Sequence, residues 1–171
     1  MERLTVDVKV TKAIKEFILS TNKSDILDPD KYSNLWCLLK QHLITVPGTY
    51  RPILDRTEYI YITIRHKHGA KTYSVPEDRV VKIKTLFRPY LSESSQAVIS
   101  RYFEKEFKAA FRNYMYGALN NNPELQVKEA IEEFLNDHDV TCDKISFEML
   151  KQDWYRHRKK KRLANICPIC F

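Results

Sequence analysis

Between Ser92 and Leu119, the residues Ile99, Phe103, Phe107, Ala110, Phe111, Tyr114 and Ala118 recur at spacings of three and four. That is the repeat of one helix face. So wide an apolar stripe on so long a helix has to be packed into a core. The opposite face carries Arg101, Glu104, Lys105, Lys108 and Arg112 and is expected to meet solvent. Ser92 or Ser94 supplies the N-cap. Asn120–Pro123 ends the helix, because proline disfavours helical geometry in the residue before it.

Other elements are legible on either side. Leu4, Val6, Val8 and Val10 alternate with Thr5, Asp7 and Lys9, a strand with one buried face. Thr11 caps a helix carrying Ala13, Ile14, Phe17 and Ile18, residues 21–32 read as a loop, and Ser33 caps a second helix over 34–44. Cys37 within that helix reads as core. Strand, helix, helix is the order of a ribbon-helix-helix DNA binder, but the link of about a dozen residues is long for that compact fold. The alternative is a strand that pairs elsewhere in its own chain. Ile60, Ile62 and Ile64 alternate with Tyr59, Tyr61 and Thr63 in the strongest strand pattern of the sequence. Lys67–Ala70 looks like a hairpin turn, with further strands at 71–75 and 80–86.

The chain has 171 residues, 43% hydrophobic and 30% charged. That suits one domain, or one domain with a small appendage, and argues against wholesale disorder. The fold class expected is α+β: a small antiparallel sheet and a helix-rich C-terminal half ending in a two-helix unit. The expected boundaries are a core over 1–122, a basic two-helix unit over 123–163 and a flexible CxxC tail over 164–171.

The net charge of +7 is unevenly spread. Residues 124–150 carry two basic and eight acidic side chains, whereas 151–171 carry seven basic and one acidic. The first of the two helices, over 124–136, turns Glu129, Glu132 and Glu133 outward. The second, capped by Ser146 and running from Phe147 to Lys161, has Phe147, Leu150 and Trp154 as its buried stripe. Beyond them it turns basic. Lys151, Arg156, Arg158, Lys159, Lys160, Lys161 and Arg162 repel one another, and a polyanion relieves that repulsion with release of its counterions. With Tyr155, these residues form the expected nucleic-acid surface. Most would meet phosphates, and Arg156 or Arg158 is suited to a guanine edge. The acidic helix could instead mask the basic one within the chain. The segment 51–88, nine basic residues to four acidic with tyrosines between, suits either plain sheet packing or a secondary contact.

The stretch EAIEEFLNDHDV followed by ISFEMLKQDWYRHRKKK resembles small, largely uncharacterised proteins of phages and integrative mobile elements. Those proteins end in an acidic amphipathic helix, a short loop and a basic helix. The matching positions here are Phe147, Leu150, Lys151, Trp154, Tyr155, Arg156 and Arg158. The resemblance implies a mobile-element role and contact with DNA; transcription regulation or accessory DNA handling is the context expected for such a chain. The CPICF terminus is outside that pattern.

Catalytic signatures are missing. The three glycines, Gly48, Gly69 and Gly117, form no phosphate-binding loop. No GxSxG, HExxH or deaminase motif occurs, so the chain is expected not to be an enzyme. Cys167 and Cys170 are half of a zinc site or a redox pair. Cys142, His138 and His157 have no zinc-site spacing to complete it, and His66 with His68 lacks a third ligand. No cofactor or metal is therefore expected. No apolar run is long enough to span a membrane, and the N-terminus lacks a secretory apolar core, which suggests a cytoplasmic protein. The expected partner is nucleic acid, DNA favoured over RNA, with no membrane contact and room for a homodimer. The competing reading is an assembly component that binds itself or an acidic protein.

Overall fold

The structure is a computed structural model that describes residues 5–45, 58–64, 89–141 and 144–166, with the backbone alone at 45, 89, 144–146 and 161–166. The order of elements is β1 (Thr5–Lys9), α1 (Lys12–Asn22), β2 (Ile26–Leu27), α2 (Asn34–His42), β3 (Leu43–Thr45), β4 (Tyr59–Thr63), β5 (Pro89–Leu91), α3 (Glu93–Asn121), α4 (Val127–Asp137) and α5 (Lys144–Ile166). The fold is α+β, with the last three helices making a helix-rich C-terminal half. The hairpin at 67–70, the strands at 71–75 and 80–86, and most of the basic segment 51–88 lie outside the described residues.

The described strands form two small sheets. In the first, β4 is central: β1 pairs with it antiparallel (Val6 opposite Ile62, Val8 opposite Ile60) and β2 pairs parallel (Leu27 opposite Ile62). Alternation sends Val6, Val8, Ile60, Ile62 and Leu27 to the buried face. Because β1 is matched to β4 of its own chain from Thr5 to Lys9, its pattern serves an intrachain sheet and not a ribbon. The parallel partner β2 arises inside the stretch read as loop, whose first two residues continue α1. The second sheet joins β3 to β5 antiparallel. It takes Leu43 and Ile44 out of the helix expected to reach 44, since α2 ends at His42. Ser33 caps α2 as expected, its hydroxyl accepting from the Trp36 N–H at 3.2 Å.

The helix α3 is the hub, touching β1, β5, α1, α2, α4 and α5. Its fully inward residues are Ser95, Ile99, Phe103, Phe107, Phe111 and Met115, each four after the last. At ~100° per residue a step of four overshoots one turn by ~40°, so the buried row winds by about 200° from Ser95 to Met115. This drift lets one helix face the sheets at its start and its two helical neighbours towards its end. Phe134 of α4 sits at the centre, its ring within 5.2 Å of Phe111, 5.4 Å of Tyr114 and 5.9 Å of Phe107. The apolar core continues without a break from Val6 to Trp154.

Cys37 is exposed, contrary to its expected place in the core. The helix α2 is apolar around most of its girth, so periodicity could not choose a face, and packing buries Leu35, Trp36 and Leu39. Ser146 lies inside α5, which begins at Lys144 and runs through Ile166, past both expected ends.

Candidate nucleic-acid interface

Helical phase sorts the residues of α5. Leu150 and Trp154 are buried, with relative exposure of 0% and 1%. Phe147, Lys151, Asp153, His157 and Arg158 are half-buried beside them, whereas Gln152, Tyr155, Arg156, Lys159 and Lys160 are exposed. The exposed five recur at i, i+3, i+4, i+7 and i+8, so they share one face. Three cations and a tyrosine therefore stand together on the solvent side.

The predicted site residues divide by what they touch. Lys151 is turned into its own helix, with Nζ 3.8 Å from a Glu148 carboxylate oxygen and 5.9 Å from the Phe147 ring centre. Arg158 lies over the Trp154 ring, its guanidinium carbon 5.8 Å from the ring centre. Arg156 donates one long hydrogen bond, 3.5 Å, to the Gln152 side-chain oxygen. Lys159 and Lys160 have no ion pair among the described residues, and Tyr155 is 51% exposed. Lys161 and Arg162 continue the helix, and their side chains lie outside the described residues.

The helix is held in place from α3. Tyr116 meets Trp154 edge-on at 5.0 Å and His157 at 5.9 Å. One turn earlier, Arg112 makes a two-pronged pair with Asp153: Nε donates at 2.8 Å and Nη2 at 2.7 Å. A step of four from Arg112 to Tyr116 matches a step of four from Asp153 to His157, so α3 and α5 run parallel. The hydrogen bonds to Asp153 hold the Arg112 guanidinium above its usual pKa. Arg112 was expected on the solvent face of α3, yet it turns to α5. Charge pattern alone carried no signal for this, since Arg112 looks like any other cation of a polar stripe that also holds Arg101, Lys105 and Lys108.

The acidic helix α4 does not mask these cations among the described residues. The acids of α4 point elsewhere: Glu132 lies 3.7 Å from Lys128 of the same helix, Asp137 accepts from Tyr114, and Glu129 and Glu133 are exposed. No carboxylate of α4 pairs with a cation of α5 among the described residues.

Cys142, Cys167, Cys170, His66 and His68 lie outside the described residues. His138 is wedged between the rings of Phe17 at 5.0 Å and Phe134 at 4.7 Å. Among the described residues no three His, Cys, Asp or Glu side chains converge in a way that could hold a metal ion. No helix among them is long and apolar enough to cross a membrane. No protein-family model matches the chain, and neither the curated proteins nor the solved structures contain a match to it.

Proposed function

We propose that the chain binds duplex DNA through the exposed face of α5, without catalysis, in a regulatory or DNA-handling role of a phage or mobile element. One observation carries this reading: Tyr155, Arg156, Lys159 and Lys160 share a single solvent-facing stripe that no acid of α4 covers. A helix with its side chains is ~10–12 Å across. The B-DNA major groove, ~12 Å wide, admits it, whereas the deep, narrow groove of duplex RNA does not. Lys159 and Lys160 suit phosphates, Tyr155 can donate its hydroxyl to one, and Arg156 suits a phosphate or a guanine edge. Lys151 and Arg158 flank this stripe, and Lys161 and Arg162 extend the basic run.

The test is a salt titration of duplex binding by fluorescence anisotropy. The full chain is expected to lose affinity steeply as salt rises. The triple variant Arg156→Ala, Lys159→Ala, Lys160→Ala should bind more weakly, with a log–log slope shallower by up to about three, roughly 0.9 per cation removed. Failure of the unaltered chain to bind any duplex at low salt defeats the proposal.

A second reading, assembly with another copy or an acidic protein, is favoured by exposed apolar side chains away from α5. Ile26 is 48% exposed, Ile44 50% and Tyr32 79%. A stable oligomer together with absent DNA binding would select it.

A further inference from the structure

We infer that Arg112 is a positioning residue for the basic face: by holding Asp153 against α3, it keeps Arg156 free to meet a phosphate. This rests on the reading of α5 as a DNA-binding surface.

Asp153 stands three residues before Arg156 and four before His157. At those spacings an acid and a following cation are neighbours on a helix surface and attract one another. The sequence of α5 alone thus predicts that Asp153 would draw Arg156 into an intrahelical pair. Asp153 is also the last acid of the helix, Glu148 being the only other one. One carboxylate therefore decides whether the cationic stripe begins with a free arginine.

The structure holds the opposite arrangement. Both carboxylate oxygens of Asp153 are taken from the other side by Arg112, at 2.8 and 2.7 Å. Among the described residues, Arg156 is left with the 3.5 Å contact to neutral Gln152. The competition favours Arg112 on geometry. Its planar fork matches both oxygens at once, while a neighbour on the same helix surface reaches from the side. The pair is also screened from water, with side-chain exposure of 32% for Arg112 and 14% for Asp153, whereas Arg156 is exposed. A lysine at 112 would supply charge without the fork.

The experiment uses the full chain and the variants Arg112→Gln, Arg112→Lys, Asp153→Asn, Arg112→Gln/Asp153→Asn and Arg112→Gln/Arg156→Ala. Circular dichroism first establishes that each is folded. Arginine Nε–H exchange by 15N NMR then reads the pairing without DNA. Arg112 should exchange slowly and Arg156 fast in the unaltered chain, and Arg156 should slow in Arg112→Gln. Should Arg112→Gln not fold, Arg112→Lys takes its place, with the Arg156 signal slowed to a lesser extent.

Duplex binding gives the second readout. Arg112→Gln should bind more weakly, with a salt slope shallower by about 0.9, the change expected when one phosphate is no longer neutralised. Adding Arg156→Ala to it should change nothing further, and adding Asp153→Asn should restore binding. A purely structural role for Arg112 predicts independent losses from Arg112→Gln and Arg156→Ala. That result, or an Arg156 signal indifferent to residue 112, overturns the inference. If the unaltered chain binds no duplex while Arg156 still responds to Arg112→Gln, the exchange of partners stands and the DNA reading falls.

Discussion

Glu16 on α1 accepts two hydrogen bonds from Thr141, one from its backbone N–H at 2.8 Å and one from its hydroxyl at 2.8 Å, across 125 residues of chain. Beside it, the Phe17 ring meets His138 edge-on at 5.0 Å. These contacts fasten the turn between α4 and α5 to the first helix. Hydrogen bonds to a charged acceptor stabilise more than neutral ones, though exposure to water weakens them. Glu16→Ala should therefore cost about 1–2 kcal/mol and Thr141→Val about 1 kcal/mol. Urea unfolding measures both, and an unchanged midpoint for Glu16→Ala would show that the clasp stabilises nothing.

Trp154 is the anchor of α5, 1% exposed, with its indole N–H unpartnered among the described residues. Truncating it to alanine removes a large buried ring and leaves a cavity, at a cost of about 3–5 kcal/mol. Phenylalanine keeps most of the contact with Tyr116 and eliminates a buried donor that itself costs about 1–3 kcal/mol unpaired. Trp154→Phe should thus lose far less stability than its missing volume suggests, about 1 kcal/mol or less. A loss equal to that of alanine in chemical denaturation would contradict this account.

Lys23 closes α1 in the left-handed region, φ 54°, where its N–H donates to the Leu19 carbonyl at 2.7 Å. A side chain there is strained, and glycine is not. Lys23→Gly should retain the terminating bond and raise stability by up to about 1 kcal/mol, visible as a higher Tm. A lower Tm would mean that unfolded-state entropy outweighs the relieved strain.

Burial pushes the Tyr114 phenol up to about 12, aided by its hydrogen bond to Asp137 and the nearby charge of Glu133. The folded chain therefore prefers the neutral phenol more strongly than the unfolded chain, in which it titrates near 10. The resulting stabilisation is complete below pH 10 and is lost as the pH rises to about 12. Stability should fall across that window, and Tyr114→Phe should flatten the fall. Identical alkaline profiles for the two proteins would contradict the assignment.

Local pattern carried much of this fold. The period of four from Ile99 to Phe111, the alternation of Val6 and Val8 and of Ile60 and Ile62, and the caps at Ser33 and Ser92 each report on their immediate neighbours, and each holds in the structure. Where the pattern was degenerate, sequence reasoning had no lever. The α2 segment is apolar on nearly every side, so the exposure of Cys37 depends on which face meets α3. The two residues of β2 are too few to show any period, and only β4 alongside makes them a strand. For the candidate site, the basic run and its Phe147, Leu150 and Trp154 anchor were legible, whereas the turning of Lys151 and Arg158 into intramolecular contacts was not.

By itself, the sequence determined the five helices, the strands β1 and β4, and the gathering of positive charge over residues 151–162. These follow from side-chain periodicity and ionisation, properties a residue carries with it. Only the tertiary structure decided that α5 lies parallel to α3, that Arg112 rather than Arg156 takes Asp153, and that Tyr155, Arg156, Lys159 and Lys160 remain facing solvent. Those outcomes depend on a competition between partners far apart in the chain, and geometry across the interface settles it.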